Sequence, residues 1–126
     1  MCRELKLPVD EKVVARLASG FGGGMGNTGG TCGAVVGAVM ALGLTNDPGD
    51  DADLEEGLAF AKRVAALRRA FEAEMGSSEC RELTGLDLTT PEGVDELLNS
   101  DTGERVCFPA VATAYRLALQ AIRGSG

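Results

Sequence analysis

Three cysteines are the residues of this sequence best suited to chemistry. Cys32, Cys80 and Cys107 each fall at or near the predicted start of a helix. The helix dipole and the unpaired N–H groups at such a position stabilise a thiolate, so we expect lowered pKa values and thiols that react or bind metals. Cysteine is also among the most often buried residue types and then acts as a small hydrophobe. The three are therefore redox thiols, ligands of a metal ion or iron–sulfur centre, or core residues.

The spacing of the cysteines does not choose among these alternatives. None belongs to a Cys-x-x-Cys pair, so the fold must assemble any disulfide or metal site from distant segments. Thiolates suit soft metals, and three of them would leave one coordination position open. The chain contains no histidine, which excludes Ser-His-Asp and Cys-His catalysis and histidine-ligated zinc.

A glycine-rich segment, "GFGGGMGNTGG", precedes Cys32 at positions 20–30. It satisfies the GxGxxG pattern of dinucleotide-binding proteins at positions 24, 26 and 29, but a helix is predicted before it and no βαβ unit surrounds it. Two interpretations stay open: a tight connection between helices that needs positive φ angles, or a backbone cradle whose N–H groups hold an anion, a thiolate or a cluster sulfide. The candidate cradle residues are Gly22, Gly23, Gly24, Gly26 and Gly33.

The hydrophobic pattern predicts an all-α protein, one domain over residues 1–126 with about five helices. The helices are expected at about 10–19, 31–43, 54–75, from Pro91 onward and at 105–122, with a short segment around Cys80. Residues 31–43 are apolar throughout and carry glycine and alanine on one face, so we expect a buried central helix that another backbone approaches closely. No segment alternates with period two for long enough to predict a strand.

The same patterns predict caps and buried faces. We expect Asp53 and either Ser77 or Ser78 to cap helices, and Gly76 to end the longest one. The predicted buried face of that helix carries Leu54, Leu58, Ala61, Val64, Ala65, Leu67 or Arg68, and Phe71. The predicted buried face of the last helix carries Val106, Val111, Ala114, Tyr115 and Ala118.

The charge and hydropathy of the chain exclude several classes of partner. Its 12 basic and 19 acidic residues give a net charge of −7, with no basic patch for nucleic acid or anionic membrane surfaces. No apolar run approaches the roughly 18 residues that span a bilayer, and the N-terminus lacks the apolar stretch of a secretory signal. We therefore expect a cytoplasmic protein with no membrane insertion.

Charged residues near the cysteines could shift the pKa values of the thiols. Glu79 and Glu82 flank Cys80, where a carboxylate could accept the thiol proton or raise the thiol pKa, whereas Arg81 and Arg105 could stabilise a thiolate. The acidic run at positions 50–56 lacks the oxygen spacing of an EF-hand loop, which favours a solvated helix start over a calcium site.

Several segments together resemble one family. "CGAVVG" at 32–37, the upstream "GFGGGMG", "SSECRELTGLDL" around Cys80 and Cys107 at the start of the last helix are similar to the C_GCAxxG_C_C family of small bacterial and archaeal redox-active proteins. The resemblance covers roughly residues 17–119. It implies a helical domain with four characteristic cysteines and a redox role.

The N-terminus departs from that family pattern. Family members usually carry a first cysteine in an "NCAQAV"-like helix well ahead of the glycine segment, whereas Cys2 is followed by "REL" and lies close to it. The first family cysteine is therefore not assigned to Cys2. Either the chain begins after the family's first helix, or it is a variant that keeps three cysteines.

Two functional hypotheses follow. In the first, Cys32, Cys80 and Cys107 converge near the glycine segment and exchange thiol and disulfide or hold a metal ion or iron–sulfur cluster, with an oxidoreductase or electron-transfer protein as partner. In the second, the chain is a non-catalytic helical binding module of an oxidoreductase or transport system, and its cysteines are structural. A homodimer is expected, because loss of the first helix would leave an apolar face to cover.

Overall fold

The chain is helical throughout most of the part that the computed structural model describes, residues 5–46 and 54–124. The elements in order are α1 (Glu11–Ala18), α2 (Gly33–Thr45), α3 (Leu54–Met75), α4 (Cys80–Thr84), α5 (Pro91–Asn99), a π-helical turn (Gly103–Cys107) and α6 (Phe108–Arg123). The described residues contain one extended pairing, an isolated antiparallel bridge between Thr31 and Glu79. The all-α class is confirmed. Among these helices none is long and apolar enough to cross a membrane.

The core forms where α2, α3 and α6 meet. Leu42 of α2, Phe71 of α3 and Ala118 of α6 are almost fully buried. α2 packs more extensively on α6 than on α3, because Ala38 and Ala114 let the two backbones approach closely. α2 begins two residues later than expected and contributes four buried residues to the core. Gly37 and Gly43 are exposed, and no atom lies within 4 Å of a Cβ built on either, so the close backbone approach expected at the glycines of this helix is wrong there.

The predicted buried face of α6 is partly wrong. Val111 is 55% exposed and Tyr115 36% exposed, whereas the buried residues of α6 are Ala110, Ala114, Leu117 and Ala118. Val111 and Tyr115 instead line a groove of about 360 Å³ between α6 and α2. Glycines and alanines of α2 line the opposite wall of this groove.

The predicted buried face of α3 is also partly wrong. Leu54 and Leu58 are 78% and 55% exposed, and Leu67 and Phe71 are the buried residues of the helix. α3 has 22 residues, whereas α2 has 13 and α6 has 16. An apolar stripe on the longer helix therefore extends beyond the helices that pack on it, and contact with the core begins at Phe60.

The helix ends follow the local signals in most places. α3 occupies the predicted range, and Gly76 follows it with a φ of +91°. α5 begins at Pro91 as predicted, after the capping side chain of Thr90. The predicted cap Asp53 and the aspartates at positions 50 and 51 lie outside the described residues. Glu55, which follows them, is exposed, as expected of a solvated helix start.

The start of α4 differs from the prediction. Glu79, not a serine, occupies the N-cap position of this helix, and its side chain makes no capping hydrogen bond. Ser77 Oγ accepts the N–H of Glu79 at 3.0 Å, and Ser78 Oγ donates to Glu72 at 2.7 Å. Ser77 Oγ also donates to the Glu82 carboxylate in the first turn of α4. Glu79 is nevertheless the N-cap residue, so the serine cap is wrong.

The last helix begins earlier and less regularly than predicted. The π-helical turn runs into α6 without a break, and the N–H of Phe108 reaches back to the carbonyl of Gly103. Proline at position 109 has no N–H to donate to the carbonyl of Arg105, and its ring would crowd that carbonyl in a regular α-helix. The wider turn relieves this conflict. Cys107 consequently lies inside a continuous helical run and not at its start.

The glycine-rich segment forms a left-handed coil between α1 and α2. Residues 23–27 all have φ between 62° and 74°. The N–H groups of residues 25–30 all donate to carbonyls of residues 20–25, so the coil is bonded to itself. A left-handed conformation costs about 1–2 kcal/mol for each residue with a Cβ, and glycine avoids that cost. Three of these five residues are glycines, whereas Met25 and Asn27 adopt the left-handed conformation with a Cβ.

One glycine of the coil also makes a close backbone contact. A Cβ on Gly24 would lie 2.5 Å from the nitrogen and 2.6 Å from the oxygen of Gly30. The oxygen of Gly30 in turn accepts the N–H of Cys80 at 2.7 Å. The absence of a side chain at Gly24 therefore helps to position Cys80, which lies more than fifty residues later in the chain.

We predict that Gly24→Ala destabilises the fold by about 3 kcal/mol or more, because it combines a left-handed φ with a collision against Gly30. Gly26→Ala is the matched control: its φ is +62° but no atom lies within 4 Å of the added Cβ, so we expect a cost of about 1 kcal/mol. Thermal and urea unfolding followed by circular dichroism measure both. Equal losses of unfolding free energy in the two variants would contradict the close contact between Gly24 and Gly30.

Candidate functional site

A short bridge brings two of the three cysteines together. Thr31 and Glu79 pair in antiparallel fashion, with the N–H of Cys32 donating to the carbonyl of Ser78 at 2.7 Å and the N–H of Cys80 donating to that of Gly30 at 2.7 Å. Residues on either side of a paired position point to the same face of an extended ribbon. Cys32 and Cys80 therefore lie on one face of the Thr31–Glu79 bridge, as diagonal neighbours.

The third cysteine lies within electrostatic range of both. Cys107 is the last residue of the π-helical turn, which contacts α4. Charge on Cys32 and Cys107 affects the titration of Cys80, and charge on Cys32 affects that of Cys107. All three thiols are free and half-buried. The three cysteines singled out in the sequence, from three separate elements, therefore lie close enough for the charge of one to affect the titration of another.

The expected direction of the pKa shift is wrong for two of them. Burial, and then repulsion from thiolates at Cys32 and Cys107, raises the pKa of Cys80, while a hydrogen bond with Thr84 partly opposes this. Burial and then repulsion from Cys32 raise the pKa of Cys107. α4 has only five residues and Cys107 lies within a helical run, so neither thiol has the strong helix start that the prediction assumed.

Cys32 has a different environment, at the N-cap of the 13-residue helix α2. Its carbonyl accepts the N–H groups of Val35 and Val36 at 3.0 and 3.2 Å, which closes the first turn. Gly33 follows because a Cβ there would lie 3.1 Å from the carbonyl oxygen of Phe21. Cys32 is therefore the cysteine that faces the positive end of a substantial helix dipole.

The charged residues near the thiols are paired elsewhere. Glu79 binds Arg68 at 2.8 Å and Glu82 accepts from Ser77 at 2.6 Å. Arg81 lies 3.8 Å from Asp87, and Arg105 lies 3.4 Å from Asp101. Burial and the neighbouring thiolates dominate the titration of Cys80 and Cys107, with no carboxylate or guanidinium among the causes.

One of the N–H groups expected to form a cradle, that of Gly26, is used within the coil itself. Gly26 donates to the carbonyl of Gly20 at 2.9 Å, and the carbonyls of Gly22, Gly23 and Gly24 accept from residues 27, 29 and 30. The coil is joined to α4 instead, through hydrogen bonds from Cys80 and the following residue to the carbonyls of residues 30 and 29. In this structure the coil positions the segment that leads to Cys32.

A metal centre finds little support in the side chains. Within residues 5–46 and 54–124 there is no group of three or more cysteine, aspartate or glutamate side chains that could hold a metal ion. Cys2 lies outside these residues.

A partly exposed polar network beside the site was not predicted from the sequence. Arg68 and Glu72, four residues apart on α3, bind the side chains of Ser78 and Glu79. Their spacing within α3 is visible in the sequence as a helical ion pair. Their contact with the segment before Cys80 depends on how α3 turns back at Gly76, and no local pattern contains that information.

Comparison with known proteins gives one match. A family model described as "Putative redox-active protein (C_GCAxxG_C_C)" matches residues 1–121. This range includes all three clustered cysteines and the glycine coil. No curated protein and no solved structure matches the chain.

We predict that Cys80 and Cys107 are alkylated slowly at neutral pH, because their raised pKa values keep them as unreactive thiols. Their alkylation rates should increase with pH, with midpoints above the ordinary value of 9.0. Iodoacetamide labelling with peptide mass spectrometry measures each site, and the urea-unfolded chain serves as the control with ordinary midpoints. Midpoints below 9.0 in the folded protein would show that helix starts stabilise these thiolates after all.

Proposed function

The chain belongs to the C_GCAxxG_C_C redox-active family, and we propose on that premise that it exchanges electrons through a reversible disulfide between Cys32 and Cys80. The observation that carries the proposal is their position on one face of the Thr31–Glu79 bridge. Diagonal positions on such a ribbon have Cα atoms roughly 7–8 Å apart, and a disulfide needs about 4.4–6.8 Å. A small movement of one segment would close the bond.

The proposed substrate is an external disulfide, carried by a small thiol compound or by a partner protein. Cys32, as a thiolate, attacks one sulfur of that disulfide; the S–S bond breaks, and the released thiolate takes up a proton. Cys80 then loses its proton to water and attacks the sulfur of Cys32, which releases the second thiol. Two electrons and two protons pass from the protein to the external disulfide, and the reverse sequence reduces the protein.

The electrostatics of the cluster favour this order of events. The raised pKa values of Cys80 and Cys107 keep those two thiols protonated at neutral pH, and Cys32 is the N-cap residue of α2. Once Cys32 is part of a mixed disulfide it carries no charge. The repulsion from Cys32 that raises the pKa of Cys80 then disappears, so Cys80 ionises more easily at the step that requires its thiolate.

Cys107 is assigned a supporting part in this proposal. It lies in the π-helical turn and not on the bridge, so its backbone is not held beside Cys32 by a pair of hydrogen bonds. Burial raises the pKa of Cys107, so at neutral pH it remains a thiol and does not compete with Cys32 for the external disulfide. A cytoplasmic setting is part of the proposal, because free thiols persist in reducing compartments.

We predict that oxidised glutathione converts the protein to a form with an intramolecular Cys32–Cys80 disulfide, because the bridge holds these thiols nearest to bonding distance. Peptide mapping of the non-reduced protein identifies the bond. The variant Cys107→Ser is the control and should form the same disulfide. A dominant disulfide through Cys107, or no intramolecular disulfide at all, would contradict the proposal and favour structural cysteines in a binding module.

The order of attack gives a separate prediction. Cys80→Ser should accumulate a glutathione mixed disulfide on Cys32, because the resolving thiol is missing. Cys32→Ser should react at Cys80 at least about tenfold more slowly at pH 7, since the raised pKa leaves little thiolate there. Stopped reactions analysed by intact mass measure both rates. Equal rates in the two variants would refute the assignment of Cys32 as the attacking thiol.

A further inference from the structure

A set of polar side chains attaches the segment before Cys80 to α3. Glu72 accepts hydrogen bonds from Ser78 Oγ at 2.7 Å and from Arg68 Nε at 3.0 Å through the same oxygen, Oε1. Arg68 also donates through its second terminal nitrogen to Glu79 Oε1 at 2.8 Å. We refer to Arg68, Glu72, Ser78 and Glu79 as the clasp.

The clasp acts on residues that define the bridge. Ser78, which is 2% exposed, provides the carbonyl that accepts the N–H of Cys32. Glu79 is the residue paired with Thr31. The clasp therefore fixes both the acceptor for Cys32 and the backbone immediately before Cys80. The side chains of Arg68 and Glu72 are partly exposed, at 43% and 41%, so replacing them leaves no charge buried.

We propose that Arg68 and Glu72 are positioning residues, which hold the segment 78–80 on α3 so that Cys80 stays beside Cys32. Arg68 is suited to this because its planar guanidinium reaches two carboxylates at once, which a lysine cannot do in the same way. The expected effect of these two residues on the Cys32–Cys80 disulfide rests on the proposed function. Their expected effect on the Thr31–Glu79 bridge does not depend on it.

A second ion pair on α3 provides a matched comparison. Arg116 of α6 binds Glu74 of α3, and its side chains, at 46% and 43% exposed, are as accessible as those of Arg68 and Glu72. This pair connects α3 with α6 and involves no residue of the clasp or of the bridge. Loss of Glu74 should therefore affect the protein as the loss of any surface ion pair does.

The first test is the hydrogen exchange of the amides of Cys32 and Cys80 in Glu72→Gln and Glu74→Gln, followed by NMR. We expect Glu72→Gln to accelerate exchange at these two amides about tenfold relative to Glu74→Gln, with amides in the middle of α2 affected equally by both. Equal exchange at Cys32 and Cys80 in the two variants would overturn the inference. If Glu72→Gln fails to fold, Arg68→Lys keeps the charge and replaces it.

The second test is the equilibrium of the Cys32–Cys80 disulfide with glutathione. A looser segment lowers the effective concentration of one thiol at the other, so Glu72→Gln should form the disulfide about tenfold less favourably than Glu74→Gln. A difference below about twofold would overturn the redox part of the inference. If the unaltered protein forms no such disulfide, the proposed function fails, and the amide exchange alone decides whether the clasp positions the bridge.

Discussion

The hydrogen bonds on either side of Thr31 and Glu79 are the interactions on which the candidate site depends. Through them Cys32 and Cys80, nearly fifty residues apart in sequence, lie on one face of a two-residue ribbon. An isolated bridge of this kind has little stability of its own, because a two-stranded pairing is marginal even when it is several residues long. The surrounding elements must therefore hold both of its sides in place.

A different set of contacts holds each side of the bridge in place. On the side of Thr31, the glycine coil bonds to itself and brings Gly24 against Gly30, a contact that no residue with a Cβ could make. On the side of Glu79, the clasp attaches Ser78 and Glu79 to α3. The coil relies on a backbone conformation that glycine adopts readily, and the clasp relies on charge-assisted hydrogen bonds. Their common result is a fixed position for two thiols.

The sequence predicts the local features of this protein better than its tertiary ones. The bounds of α3 follow from its periodicity and from Gly76, and the positive φ angles of the coil follow from its glycines. The start of the last helical run was misplaced because Pro109 changes the turn before it. The buried face of α6 and the raised pKa of Cys80 depend on which elements pack together. Motif spacing identified the cysteines, but only the fold shows that the three are neighbours.

The Thr31–Glu79 bridge can be observed directly in solution. In a non-hydrogen-bonded antiparallel pair the Cα atoms are only about 4.5 Å apart, so the two Hα protons are close enough for a strong nuclear Overhauser effect. We predict that the reduced protein shows this effect between the Hα protons of Thr31 and Glu79. If these resonances are assigned and the effect is absent, the two segments are not paired, and Cys32 and Cys80 have no common scaffold on which to form a disulfide.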